Sequence, residues 1–131
     1  MRSLWRWISA LGPVALYAAL IVHLSGRSRL PSVGVNDKVA HFVEYAVLAF
    51  LVTRALALVR PGTSLRVLGL VAVGLATLFG LTDELHQHFV PNRDASLYDL
   101  LADFAGSVAG AMAYAAWADL RDRLARRLPS S

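Results

Sequence analysis

Four long apolar runs alternate with short polar stretches along the chain. A helix needs about 20 predominantly apolar residues to cross the hydrocarbon core of a bilayer, and the runs are of that order. The polar stretches carry the Gly, Pro and Ser residues that are typical of turns. The pattern therefore predicts an all-α bundle of four transmembrane helices, forming a single domain over residues 1–131. The predicted helices cover residues 7–25, 39–59, 65–88 and 97–118, and a basic tail covers residues 119–131.

Local signals refine this picture. Two arginines precede the first run, as in a signal peptide, but no Ala-x-Ala cleavage site follows it, so we expect the first helix to be retained. Ser96 and Asp99 have the spacing of a capping box at the start of the fourth helix. Gly106 and Gly110 form a small-xxx-small stripe on that helix, which allows a neighbouring helix to approach closely.

Composition agrees with a lipid environment. The chain is 56% hydrophobic and 17% charged, with a mean hydropathy of +0.52. Soluble domains carry about 25% charged residues, so this chain has too few to cover a water-facing surface. The net charge of +4 does not indicate nucleic-acid binding, because the basic residues lie mostly at the ends of the apolar runs. The absence of cysteine excludes disulfides, thiol catalysis and thiolate metal sites.

The basic residues also predict an orientation. If both termini are cytoplasmic, nine basic residues lie inside and four outside, which is the arrangement that the positive-inside rule favours. The inside set is Arg2, Arg6, Arg54, Arg60, Arg66, Arg121, Arg123, Arg126 and Arg127, and the outside set is Arg27, Arg29, Lys38 and Arg93. The start of the second helix, the end of the third and the start of the fourth then meet at the extracytoplasmic face.

Two polar clusters fall at that predicted face. One opens the second apolar run, and the other occupies residues 82–103 between the third and fourth runs. An ionisable group at membrane depth must be offset by a partner, a water-filled cavity or a ligand, so such groups are candidates for a functional site. The two clusters comprise Asp37, Lys38, His41, Glu44, Tyr45, Asp83, Glu84, His86, Gln87, His88, Arg93, Asp94, Asp99 and Asp103.

Several members have a structural alternative to function. Asp37 suits a helix cap, and His41 and Tyr45 suit interfacial anchors or core hydrogen bonds as well as a ligand site. Glu44 lies roughly 10 Å deeper along its helix than Asp37, and we find no structural role for a carboxylate at that depth. His86 and His88 are expected to be exposed near a turn.

The third and fourth helices contribute the remaining carboxylates. Asp83 and Glu84 follow the apolar stretch directly and are expected to face the bundle, with Arg93 as a counter-charge. Asp99 is either the acid of the capping box or part of the site, whereas Asp103, one turn deeper, is not explained by capping.

The sequence does not decide which chemistry these polar residues perform. Carboxylates that lie close together cannot all be ionised, which suits acid or base catalysis. Carboxylate oxygens with imidazole also suit Mg, Mn, Ca or Zn, but HExxH and related spacings are absent, so we assign no metal site and no cofactor. No GxSxG motif supports a serine nucleophile.

The segments HFVEYAVLAFL from His41 and TDELHQHFVPNRDASLYDLLADFAGSVAG from Thr82 resemble the VanZ-like family of small polytopic bacterial membrane proteins. The resemblance covers residues 37–110, with Asn92 where the family pattern usually has Gly and Asp103 where it often has Asn. The family takes its name from a member linked to teicoplanin resistance. The resemblance implies a protein of the bacterial cytoplasmic membrane and cell envelope.

We therefore expect a multi-pass protein whose polar pocket binds or acts on a lipid-linked or cell-wall precursor ligand, with no nucleic-acid partner. Glu44, Glu84 and Asp83 are the catalytic candidates, and the ligand-binding candidates are His41, Tyr45, Gln87, Arg93, Asp99 and Asp103. One alternative is a structural or interaction protein in which these residues form an interhelical network. Proton or ion movement is a further alternative, disfavoured because the inner halves of the helices offer almost no polar path.

Overall fold

The computed structural model describes residues 2–26, 37–90 and 96–127, and these parts of the chain contain helices and short turns but no strand. The helices are α1 (Arg2–Ser25), α2 (Asp37–Val59), α3 (Leu65–Gln87) and α4 (Leu97–Arg127). All four are long and apolar enough to cross a membrane. The predicted all-α membrane bundle is thus confirmed for the described residues.

Two helices are longer than the sequence pattern predicts. The first begins at Arg2 rather than at residue 7, because nothing in its first turn stops a helix. The fourth continues beyond residue 118 through most of the basic tail, to Arg127. This extension contains no Gly or Pro, and an ion pair of 2.8 Å joins Asp119 to Arg123 one turn later. At 1.5 Å per residue α4 is about 46 Å long, which exceeds the hydrocarbon core by several turns.

The helices run alternately up and down, so the two polar clusters lie at the same end of the bundle. Contacts at that end join the last residue of α1 to α3 and the first turns of α2 to α4. At the opposite end, Arg54 of α2 donates a hydrogen bond to the backbone oxygen of Ser9 in α1, at 3.0 Å. The antiparallel order places the end of α1, the start of α2, the end of α3 and the start of α4 at one face. We call this face the polar end.

The closest packing in the bundle is between α2 and α4. A Cβ atom added at Gly106 would overlap the carbonyl group of Phe42, and one added at Gly110 would overlap that of Ala46. The small-xxx-small stripe that the sequence shows therefore forms the α2–α4 contact. This approach brings the acidic residues at the start of α4 against the histidine of α2.

The middle of the bundle is apolar both inside and on its surface. A small core of Ile21, Tyr45, Leu48, Ala49 and Ala76 lies between α1, α2 and α3. By contrast, large apolar side chains project outward along the helices: Leu16 is 75% exposed, Leu70 74% and Met112 67%. Soluble proteins rarely expose such a continuous apolar surface, whereas lipid chains cover it without cost. The bundle is built for a bilayer.

Candidate functional site

The centre of the polar end is a buried pair between α2 and α4. Nδ1 of His41 lies 2.9 Å from Oδ1 of Asp103, so the two groups form a hydrogen bond. Asp103 is 0% exposed and His41 is 5% exposed. Gly80 of α3 makes room for the pair, because a Cβ atom there would lie 2.7 Å from Oδ2 of Asp103. Ser107 donates to the backbone oxygen of Asp103 at 2.7 Å and adds no charge to the site.

Glu84 of α3 lies beside this pair and has two separate environments. Its Oε2 atom accepts a hydrogen bond of 2.8 Å from the backbone N–H of Ser96, directly before α4. Its Oε1 atom lies 3.9 Å from Nδ1 of His41 and has no hydrogen-bond partner within the described parts of the chain. One oxygen thus caps a helix, while the other faces the His41–Asp103 pair.

Asp83, the neighbouring carboxylate, is held by two other side chains. The Ser25 hydroxyl, at the end of α1, lies 2.5 Å from Oδ1 of Asp83. The Gln87 amide, one turn further along α3, donates to Oδ2 at 3.1 Å. Asp83 is only 5% exposed, so these hydrogen bonds compensate for its burial. The sequence did not single out Ser25, because a serine that ends an apolar run resembles any other turn residue.

Asp99 does not act as the acid of a capping box. That role requires its carboxylate to accept from the N–H of Ser96, but this N–H is bonded to Glu84. The carboxylate of Asp99 is buried and lies 3.4 Å from the Lys38 ammonium, which is half exposed. Asp99 therefore joins α4 to α2 through Lys38, and the cap at the start of α4 comes from Glu84 of α3 instead.

Tyr45 and Glu44 lie on the α1 side of the same region. Tyr45 is fully buried against Phe79, with ring centroids 6.4 Å apart, and its hydroxyl has no hydrogen-bond partner among the described residues. Glu44 is half buried. It lines a cavity of about 20 Å³, which has room for about one water molecule. The lining residues are Leu24, Ser25, Asp37, Ala40, His41, Glu44 and Gln87.

The remaining candidate residues are exposed or lie outside the described residues. His86 and His88 are exposed, as expected. Asp37 is exposed within the first turn of α2, so it is a helix residue rather than the residue before the helix. Arg93 and Asp94 lie outside the described residues, and the predicted pairing of Arg93 with these carboxylates stays a prediction.

Two groups of side chains in the described residues have the composition and spacing to hold a metal ion. One is His41 with Glu84 and Asp103, all buried, and the other is His41 with Asp37 and Asp99. In each group the ligand atoms lie within 4.8 Å of one another. The donors come from three helices in the first group, which is why no linear motif such as HExxH marks them.

Comparison with known proteins gives one family. The family model described as VanZ/LLP1 matches residues 3–118, which includes α2 and α3 completely and most of α1 and α4. No curated protein and no solved structure matches the chain significantly.

Proposed function

Since the chain belongs to the VanZ/LLP1 family, we propose that it is a VanZ-like protein of the bacterial cytoplasmic membrane. In this proposal both termini are cytoplasmic, and the polar end faces the cell envelope. There the protein binds or acts on a lipid-linked or cell-wall precursor, and it is associated with glycopeptide (teicoplanin) resistance. The family match and the four apolar helices support the assignment of a multi-pass VanZ-like membrane protein.

The observation that carries the ligand proposal is the presence of two cavities between the same three helices, one polar and one apolar, which together we call the cleft. The small cavity at the polar end is lined by residues of α1, α2 and α3. Deeper in the bundle, the same three helices line an apolar groove of about 260 Å³. An apolar groove below a polar membrane end suits a lipid whose hydrocarbon chain lies in the groove and whose polar head contacts the side chains above it. Phe79 lines the groove and packs on Tyr45, the residue after Glu44 of the small cavity.

The contacts at the polar end favour different roles for the three catalytic candidates. Asp83 is bonded through both oxygens to Ser25 and Gln87, and Glu84 caps α4 with one oxygen and faces His41 with the other, so neither carboxylate lines the polar cavity. Glu44 lines the cleft, and we assign it the role of acid or base toward a ligand. Lys38, half exposed at the rim, and Arg93 would supply positive charge for an anionic head group.

A binding measurement tests this proposal. Native mass spectrometry of the detergent-solubilised protein would give apparent affinities for a polyprenyl phosphate and for lipid II. We expect Val52→Phe, which fills the apolar groove, and Arg93→Ala to lower these affinities about tenfold or more, corresponding to roughly 1.4 kcal/mol. Val71→Phe on the outer face of α3 and Arg66→Ala at the opposite end are the matched controls and should bind as the wild type does.

A second measurement separates binding from action. A deletion strain should become more susceptible to teicoplanin, and the wild-type gene should restore its resistance. We expect Glu44→Gln to retain lipid affinity but to fail in this complementation, at normal protein abundance. Equal affinity in wild type and Val52→Phe, or full complementation by both Glu44→Gln and Arg93→Ala, would contradict the ligand proposal.

A structural role is the second candidate function, and one observation favours it. The polar contacts described above join different helices: α1 to α3, α2 to α4, and α3 to the start of α4. Such a network fixes how the helices pack whether or not a ligand binds. Under this alternative, Asp103→Asn lowers thermal stability, while Val52→Phe and Arg93→Ala leave the resistance phenotype unchanged.

A further inference from the structure

We propose that His41, Glu84 and Asp103 form a binding site for one divalent transition-metal ion, of the Mn²⁺ or Zn²⁺ class. This inference goes beyond the proposed function and does not depend on lipid binding. The three residues lie on α2, α3 and α4, and their ligand atoms are within 4.8 Å of one another.

The distances suit a common coordination centre. Nδ1 of His41 lies 2.9 Å from Oδ1 of Asp103 and 3.9 Å from Oε1 of Glu84. Metal bonds to imidazole nitrogen and carboxylate oxygen are about 2.0 to 2.2 Å long, so neighbouring ligand atoms around one ion lie roughly 3 to 4 Å apart. A cation would replace the hydrogen bond between His41 and Asp103, since Nδ1 must be unprotonated to coordinate.

The second observation is that buried carboxylate oxygens at this site have no hydrogen-bond partner. Oε1 of Glu84 and Oδ2 of Asp103 are buried and have no hydrogen-bond partner within the described residues. Glu84 is 5% exposed and Asp103 0%, so water does not reach these oxygens freely. A buried carboxylate oxygen without a partner is costly, and a cation bound beside His41 would satisfy Oε1 of Glu84.

Charge and position favour the same conclusion. Two buried carboxylates beside one imidazole carry excess negative charge, which a divalent ion would neutralise. Lys38, the nearest ammonium in the described chain, is paired with Asp99. The alternative group of Asp37, His41 and Asp99 is therefore less suited, because Asp99 already has a cation and Asp37 is exposed.

The site also has support and access. The second oxygen of Glu84 accepts from Ser96, which fixes the orientation of the carboxylate, as residues around metal ligands commonly do. His41 borders the small polar cavity, which leaves room for about one water beside the ligands. Mixed imidazole and carboxylate donors suit Zn²⁺ or Mn²⁺ better than Mg²⁺ or Ca²⁺, which prefer oxygen alone.

Metal binding to the full chain in detergent tests the site directly. Protein stripped with EDTA would be titrated with Mn²⁺ and followed by electron paramagnetic resonance, with Zn²⁺ competition and elemental analysis of the washed protein. We expect one ion per chain and a nitrogen coupling from imidazole in the electron spin-echo envelope. Glu84→Gln and Asp103→Asn should each weaken binding by at least about tenfold.

Two control variants complete the design. Asp83→Asn removes a buried carboxylate that already has partners, and His86→Gln removes an exposed histidine of the same helix. Both should bind metal as the wild type does. The proposal is wrong if no ion binds above the detergent blank, if bound Mn²⁺ shows no nitrogen coupling, or if the controls lose affinity as much as the ligand variants. Because the nitrogen coupling is measured in the wild type, it tests the site even where a variant does not fold.

Discussion

At the scale of single residues, the hydrogen bonds at the polar end distinguish carboxylates that look equivalent in the sequence. Asp83 and Glu84 are adjacent, but Asp83 has both oxygens engaged whereas Glu84 has one oxygen without a partner. An ionisable group buried with its hydrogen bonds complete contributes to structure, while one with unused capacity is prepared for a further partner. The number of satisfied oxygens therefore distinguishes structural from ligand-binding candidates.

Ser25 provides a test of the structural contacts. Its hydroxyl lies 2.5 Å from Asp83, so Ser25→Ala leaves a buried carboxylate oxygen without that donor. Side-chain hydrogen bonds between transmembrane helices contribute about 0.5 to 2 kcal/mol, and we expect a loss in that range in the free energy of unfolding. Titration with sodium dodecyl sulfate in mixed micelles, followed by tryptophan fluorescence, measures the change.

Ser9→Ala is the matched control for this prediction. Its hydroxyl bonds to the backbone of Arg6 within an exposed turn of the same helix, so its removal leaves the packing of α1 unchanged. We expect its unfolding midpoint to equal that of the wild type. If both serine variants behaved alike, the Ser25–Asp83 contact would have no part in stability.

Sequence reasoning identified most polar residues of the site but not their pairing. His41, Glu84 and Asp103 were identifiable because ionisable groups in an apolar run are costly. Their convergence, however, depends on the rotation of three helices about their axes, and residue spacing along one helix does not determine that. Gly80 was missed for the same reason, since its role appears only when Asp103 of α4 is placed against it.

At the scale of elements, the sequence predicted the four helices better than their ends. The apolar runs determine where a helix lies in the membrane, but a helix continues beyond the apolar run where no residue stops it. The terminal extensions of α1 and α4 show this, because arginine and leucine continue both helices past the apolar run. The capping of α4 depends on Glu84 of another helix, which a local motif cannot reveal.

The α2–α4 contact gives a prediction at this scale. Gly110→Ala places a methyl group against the carbonyl of Ala46, which is backbone and cannot move aside without separating the helices. Overpacking of this kind costs about 1 to 3 kcal/mol, and we expect a loss of that size in the free energy of unfolding. Because α4 carries Asp103, metal affinity at the proposed site should fall as well.

Gly74→Ala separates this packing effect from the intrinsic helix preference of alanine. Gly74 lies within α3 and has no atom within 4 Å of the position that a Cβ would occupy. Alanine is favoured over glycine in a helix by about 1 kcal/mol, so this variant should be as stable as the wild type or more so. Equal destabilisation by both substitutions would contradict the role of close packing at Gly110.

At the scale of the whole molecule, aromatic residues mark the two ends of the bundle. Trp5 and Trp7 are exposed near the start of α1 and Trp117 near the opposite end of α4, so all three lie at the end away from the polar clusters. The ring of Trp117 stacks under the guanidinium of Arg121, 5.1 Å from its carbon, and Tyr98 is exposed at the polar end. Exposed Trp and Tyr side chains at both ends of a bundle are typical of the two membrane–water interfaces.

The orientation of this bundle in the cell is the last prediction. The absence of cysteine allows single cysteines to be introduced one at a time, so that each label reports one position. The excess of arginine at the Trp-rich end predicts that Ser3→Cys is cytoplasmic and Tyr98→Cys extracytoplasmic. A membrane-impermeant maleimide added to intact cells should therefore label position 98, and position 3 only after the cells are permeabilised. The reverse pattern would place the polar end in the cytoplasm, and a ligand that is confined to the outer face would then be excluded from the cleft.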